Sequence, residues 1–227
     1  MASQGADVVV ADIAVEQAEK VVNEVKAMGR RAMALRVDVT KSEDANQMIK
    51  AVLDKFGEID ILVNNAGGSA PEKGIPFCES TEETWDWVIA LNLKGVRNCT
   101  RAVIEPMMQR RSGKIISIAS IAGVKGTADR VDYSTAKAGV IGFTKALAKE
   151  VASYGIYVNS VSPGPIETPL LLASSPERRE SLKQSVYLGR FGKAEEIADM
   201  VVFLASDEAS FIIGQNFIVD GGRSLGA

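Results

Sequence analysis

The sequence contains no histidine. This excludes Ser-His-Asp triads, Cys-His pairs and histidine metal sites, because each needs an imidazole as base, acid or ligand. Any proton transfer therefore falls to Tyr, Lys, Asp, Glu or Cys. Cysteine is scarce as well: Cys78 and Cys99 stand far apart, with neither ligand spacing nor a dense, even pattern, so no zinc or other metal site and no disulfide framework is expected. Such usage fits a reducing, cytoplasmic setting. No run approaches the roughly 18 apolar residues that span a bilayer. Met1 to Ala6 has neither a basic leader nor an apolar stretch, so neither a membrane nor a secretory address is expected. Long basic blocks are also lacking: 29 acidic and 26 basic residues are dispersed along the chain, for a net charge of -3. Without that electrostatic footprint, nucleic acid is not an expected partner.

What is present is a composition of 46% hydrophobic and 24% charged residues over 227 positions, enough for one α/β domain with a sizeable core and short for two. Residues 1–227 read as one domain, since no linker, repeat or low-complexity tract interrupts them. Short β-branched runs predict strands at residues 7–11, 32–37, 59–63, 114–118, 156–161 and 216–219. Apolar residues at three- and four-residue spacing predict helices at 15–28, 42–56, 81–108, 134–154 and 194–205. This alternation is that of repeated βαβ units, a doubly wound, mostly parallel sheet with helices on both faces. The least regular stretch, 163–190, carries Pro163, Pro165, Pro169 and Pro176; a mobile lid over a substrate and a plain surface excursion are equal readings of it.

Tyr133-Ser134-Thr135-Ala136-Lys137 opens a helical stretch, and its four-residue spacing sets the phenol and the ammonium on one face. A lysine cation favours the phenolate, lowering a tyrosine pKa from about 10 toward neutrality, as a proton donor to a forming alkoxide requires. An isolated pair of this kind is more often a half-buried Tyr beside a solvated Lys. Its neighbourhood changes the balance, because Lys114-Ile115-Ile116-Ser117-Ile118-Ala119-Ser120 reads as a buried strand delivering Ser120 at its carboxyl end, where parallel sheets bind ligands. That hydroxyl can donate to a carbonyl oxygen; it can equally be a turn residue before Gly123.

In identity, order and spacing, Ser120, Tyr133 and Lys137 resemble the catalytic residues of the short-chain dehydrogenase/reductase family, and the resemblance covers nearly the whole chain. It implies a Rossmann-like fold and an oxidoreductase that interconverts a secondary alcohol and a ketone with a nicotinamide dinucleotide, in the manner of 3-oxoacyl-thioester reductases. Gly189-Arg190-Phe191-Gly192 and the closing Val219-Asp220-Gly221-Gly222 carry the likeness to that group. The resemblance implies that Asn92 is a fourth catalytic residue, holding a water that links Lys137 to solvent; on propensity alone Asn92 is a solvent-facing helix residue. It also implies that Asn65, Ala66 and Gly67 border the cofactor and that Asp38 and Val39 meet the adenine, Asp38 being open to a helix-capping reading as well. By the same resemblance Pro163, Gly164, Ile166 and Thr168 meet the nicotinamide carboxamide, and Lys137 and Tyr133 contact the nicotinamide ribose region. Asp12 ends the first strand seen, where a carboxylate accepts from ribose hydroxyls and repels a 2′-phosphate, so NAD is expected over NADP; Asp12 can also be a helix cap. A homotetramer is implied, pairing through the helices around 96–108 and 134–152.

The resemblance breaks at one place. That family's first strand leads into a Thr-Gly-x-x-x-Gly-x-Gly turn that binds pyrophosphate, and no such motif occurs here. Gly5 to Asp12 resembles the family's second strand, so one leading βα unit, of order 20–30 residues, is expected to be missing. Two functions follow: an active reductase, or a family member that keeps the scaffold as a non-catalytic binding or assembly subunit.

Overall fold

The computed structural model describes residues 1–69 and 74–225. Six strands, β1 (Val8–Asp12), β2 (Ala32–Arg36), β3 (Ile61–Asn64), β4 (Gly113–Ile118), β5 (Ile156–Pro163) and β6 (Asn216–Val219), all pair in parallel. They alternate with α1 (Val15–Ala27), α2 (Ser42–Phe56), α3 (Glu82–Ile89), α4 (Gly95–Arg110), α5 (Ile121–Lys125), α6 (Val131–Val151), α7 (Pro169–Leu172), α8 (Pro176–Gln184) and α9 (Ala194–Ala205). The parallel α/β architecture expected from the alternation is therefore present. No helix among the described residues is long and apolar enough to cross a membrane.

The strands form two sheets, β1-β2 and β3-β4-β5-β6. Side chains join what the backbone leaves separate. Val9 and Ala11 of β1 and Met33 and Leu35 of β2 pack against the same cluster as Ile115 of β4 and Val158 of β5. The helical side of this cluster comes from Ala45, Met48, Ile49 and Val52 of α2, Cys99, Val103 and Met107 of α4, and Ala148 and Val151 of α6. In α2 those four residues fall at i, i+3, i+4 and i+7, one stripe of a 3.6-residue period, and the helix stops at Gly57 with φ 86. Strand alternation sends the next residues the other way: Ile116 and Val161 meet Val201 and Leu204 of α9 on the opposite face. Both faces of the four-stranded sheet are thus covered, so even the polar Ser117 of β4 and Asn159, Ser160 and Ser162 of β5 are buried.

Most predicted boundaries shift by one or two residues, as helix and strand ends commonly do. Three differences are larger. The helix expected at 134–154 runs from Val131 to Val151. The single helix expected at 81–108 is α3 and α4 joined by a π-helical turn, Ala90–Lys94. The irregular 163–190 stretch contains α7 and α8, each with proline at its first turn and capped by Thr168 or Ser175.

Candidate active site

Because all six strands run the same way, their carboxyl ends share one edge, and the candidate residues lie along it. Asp12 ends β1, Asp38 and Val39 follow β2, Asn65 to Gly67 follow β3, Ser120 follows β4, and the turn from Pro163 to Thr168 leaves β5. Ser120 caps the short α5, its Oγ accepting from Ala122 N at 3.1 Å. Tyr133 and Lys137 come from the first two turns of α6. Lys137 is buried, and its Nζ donates to Ile118 O at 2.8 Å while lying 5.7 Å from the centre of the Tyr133 ring. One turn of helix thus sets Tyr133 and Lys137 side by side, with Ser120 held beside the phenol by the end of β4.

Asn92 is fully buried, not solvent-facing, and the π-helical turn accounts for this. An extra residue per turn rotates the amide inward, a distortion common at functional positions. Asn92 Nδ2 donates to Gly68 O at 2.7 Å and Val88 O at 2.9 Å, and its Oδ1 accepts from Gly68 N at 3.0 Å. The loop after β3 is clamped in this way. A Cβ built on Gly67 would lie 2.8 Å from Asn92 Oδ1 and 3.1 Å from Lys137 Nζ, so the absence of a side chain there lets the loop, the amide and the ammonium converge.

Asp12 is exposed at the end of β1, and one carboxylate oxygen accepts from Ala14 N at 2.8 Å; Ala14 is the cap position of α1 and receives no side-chain cap, so Asp12 shapes the turn before the helix without capping it and stays accessible. Asp38 accepts from Thr40 Oγ1 at 2.7 Å and Thr40 N at 3.0 Å; these bonds and the nearby Lys41 hold its carboxyl below the usual range. Val39 is fixed by Asn98 Nδ2, which donates to its carbonyl at 2.9 Å. Asn65, Ala66 and Gly67 are exposed. The turn after β5 is tied at two points: Gly164 N donates to Val219 O, and Gly192 N donates to Pro165 O as Glu167 N donates back to Gly192 O. Ile166 pairs with Gly192 as an isolated bridge, and Arg190 grips Glu196 through both guanidinium nitrogens at 2.8 and 2.7 Å. The Gly189-Arg190-Phe191-Gly192 segment thereby anchors the mouth of the edge to α9.

Electrostatics separate the candidates. Burial pushes the Cys99 thiol up to about 11, removing it as a nucleophile near neutral pH. Burial also raises the Tyr133 phenol, and two neighbours oppose this: the Ser120 hydroxyl and the Arg130 guanidinium. The sequence expects an opposing charge from Lys137, whose Nζ lies 5.7 Å from the centre of the ring; Arg130, at the amino-terminal cap of α6, adds a cation that opposes the rise. A spacing of three residues before Tyr133 carries that information, since i and i+3 meet on a helix face.

Lys137 is lowered to about 8 by burial. The folded state therefore binds this proton more weakly than the unfolded chain. Below about pH 8 both states hold it and the cost is complete; between 8 and the ordinary 10.5 the unfolded chain alone holds it, so stability rises with pH. The shift corresponds to on the order of 3 kcal/mol. Denaturation of the wild type and of Lys137→Met at pH 7 and pH 10 is expected to show the wild type gaining on the variant by that order. A constant difference would place Lys137 in an ordinary solvated state.

Comparison with known proteins places this geometry. A family model described as enoyl-(acyl carrier protein) reductase matches residues 1–224. The 3-oxoacyl-[acyl-carrier-protein] reductase FabG of Thermotoga maritima is 40% identical over 221 residues, 97% of this chain and 89% of that protein. A 3-oxoacyl-[acyl-carrier-protein] reductase of Synechocystis is 44% identical over 209 residues, 92% of this chain and 82% of that protein. The crystal structure of gox2181 superposes with a TM-score of 0.94 at 31% identity, over 99% of this chain and 88% of that one. With its Ser, Tyr and Lys gathered at the carboxyl edge of a parallel sheet, and with relatives of this closeness, the chain belongs to the short-chain dehydrogenase/reductase family of oxidoreductases.

Proposed function

We propose that this protein reduces the ketone of a 3-oxoacyl thioester or a related compound to a secondary alcohol, and runs the reverse reaction, with a nicotinamide dinucleotide as hydride carrier. The observation that carries this reading is the convergence of Ser120, Tyr133 and Lys137 at the end of β4. The residues along the edge fit such a dinucleotide chemically: an exposed carboxylate at Asp12 for ribose hydroxyls, Asp38 and Val39 beside adenine, and small exposed residues at Asn65, Ala66 and Gly67 against a flat ring. Pro163, Gly164, Ile166 and Thr168 would meet the carboxamide, and Lys137 the nicotinamide ribose. Bound there, the dinucleotide supplies or accepts the hydride.

The chain's own groups handle the oxygen and its proton. Ser120 Oγ donates to the carbonyl oxygen and orients it. Tyr133 Oη passes its proton to that oxygen as negative charge develops, and takes one back in the oxidative direction. The phenolate left behind is stabilised by Ser120 and by the charges of Arg130 and Lys137. Asn92 keeps the loop after β3 in register with Lys137. The reading includes a cytoplasmic homotetramer acting on a small-molecule substrate.

NAD is the preferred carrier in this reading, because the Asp12 carboxylate repels a 2′-phosphate. Reduction of acetoacetyl thioesters, followed by loss of absorbance of NADH and separately of NADPH, tests both claims. Turnover is expected with a higher kcat/KM for NADH, and Asp12→Ser is expected to narrow that preference by about tenfold, or roughly 1.4 kcal/mol. Absence of turnover with either carrier contradicts the reductase assignment; a preference for NADPH contradicts the role given to Asp12.

A further inference from the structure

The seam between the two sheets leaves two strand edges without backbone partners. Val8 N donates to Arg31 O and Asp12 O accepts from Val37 N, so the alternate residues Val8, Val10 and Asp12 turn their backbone groups to β2. Val9 and Ala11 therefore direct theirs to the other side, into the seam. In β3, Asp60 O accepts from Lys114 N, which commits Leu62 and Asn64 to β4 by the same alternation and turns Ile61 and Val63 toward the seam. Among the described residues, neither the N–H nor the C=O of any of these four has a hydrogen-bond partner.

Both edges belong to one layer. Val9 and Ala11 of β1 and Leu62 of β3 pack on the cluster built by α2 and α4, while Ile61 and Val63 pack on the other face with Met1 and with Val201 and Leu204 of α9. The four residues at the seam are only half-buried, whereas Ile115, Ile116, Val158 and Val161 of the doubly paired strands β4 and β5 are at most 1% exposed. A row of main-chain donors and acceptors beside apolar side chains is a template for a further strand. Because β1 and β3 run the same way, one guest strand can pair with both in parallel. Its side chains would point alternately to α2 and α4 and to α9, so it must be apolar on both faces. Each β-branched run of this chain is already a strand of its own sheets. A second copy could donate one only by dismantling them.

We propose that the seam between β1 and β3 is a docking slot for an extended apolar segment of a different polypeptide, which enters as a parallel strand of about five residues and joins the two sheets into one. Its main chain bonds to Val9 and Ala11 on one side and to Ile61 and Val63 on the other. The outer edges, β2 and β6, each offer one row of backbone groups, whereas the seam offers two, so the guest is held there in preference. Ser120, Tyr133 and Lys137 take no part in the slot, which stands independently of the reductase reading.

The probe is a synthetic peptide with an alternating Val-Ile core flanked by lysines, used beside the same peptide carrying proline at its centre. Binding is read by fluorescence anisotropy of the labelled peptide, and the place of binding by amide hydrogen exchange of the protein. The Val-Ile peptide is expected to bind and to slow exchange at Val9, Ala11, Ile61 and Val63 by at least about tenfold, with the outer edges of β2 and β6 unchanged. The proline peptide is expected to bind about tenfold more weakly, the scale of one hydrogen bond lost. Ala11→Pro removes a donor that faces the seam and none that faces β2, so it is expected to weaken the peptide by at least about that factor while the pairing of β1 with β2 stays protected. Absence of binding, equal binding of the two peptides, or binding of the Val-Ile peptide without slowing at the four amides overturns the slot; these readings on the wild type decide even where Ala11→Pro fails to fold. Slow exchange at the four amides without peptide overturns it as well. Where that protection grows with protein concentration, a second copy fills the seam, and where it does not, the seam is closed.

Discussion

Replacing Tyr133 with phenylalanine is expected to lower turnover at least about 10²-fold, the scale of losing a general acid/base, while dinucleotide binding and folding persist. Burial raises the Tyr133 phenol and Ser120 and Arg130 oppose that rise; in the proposed reading its hydroxyl exchanges the proton with the carbonyl oxygen. Lys137 Nζ donates to Ile118 O at 2.8 Å, which holds it beside the Tyr133 ring. Removing one oxygen leaves the aromatic packing of the first turn of α6 intact. Steady-state kinetics, beside a thermal melt and a dinucleotide titration, decide the matter. Near-normal turnover in Tyr133→Phe would take the proton-transfer role away from Tyr133.

An effect of similar size is expected from Gly123→Val, although this glycine touches no substrate. α5 crosses α6 so closely that a Cβ on Gly123 would lie 2.5 Å from both Ala138 N and the Lys137 carbonyl carbon. Those are backbone atoms and cannot swing aside, so any side chain must push α5 away from α6. Ser120 caps the first of these helices, and Tyr133 and Lys137 belong to the second, so the push separates the hydroxyl from the phenol. Overpacking of this kind costs about 1–3 kcal/mol of stability, and a shift of ~1 Å in a catalytic geometry can cost about 10² in rate. Gly123→Val is expected to lower kcat by that order while losing only a few degrees of melting temperature. Unchanged kcat would mean that the two helices are not coupled to the chemistry.

Much of the layout was legible in the sequence for a simple reason: short β-branched runs such as 114–118 and 156–161 alternate with helices such as 42–56 that carry one apolar stripe. The placement of Ser120, Tyr133 and Lys137 was legible through spacing, since strand end and helix turn convert sequence separation directly into position. What escaped depended on less local matters. The π-helical turn at Ala90–Lys94 has the composition of ordinary helix, and only the burial of Asn92 against Gly68 reveals why the extra residue is there. Arg130 escaped because a basic residue before a helix reads as solvated. Gly123 reads as a turn residue, and its contact with α6 belongs to tertiary packing that no local pattern encodes.

The divided sheet has a consequence for how the molecule responds to what it binds. Within β3-β4-β5-β6 neighbouring strands are tied by a ladder of backbone hydrogen bonds, whereas β1-β2 meets that sheet through the side chains of one shared cluster. Asp12, Asp38 and Val39 ride on the smaller part; Asn65, Ser120, Tyr133 and Thr168 belong to the larger. A molecule long enough to grip both acts as a rivet across the seam. By linkage, whatever tightens that grip also stiffens the chain, so the stability of the fold and the affinity of the site are two readings of one free energy.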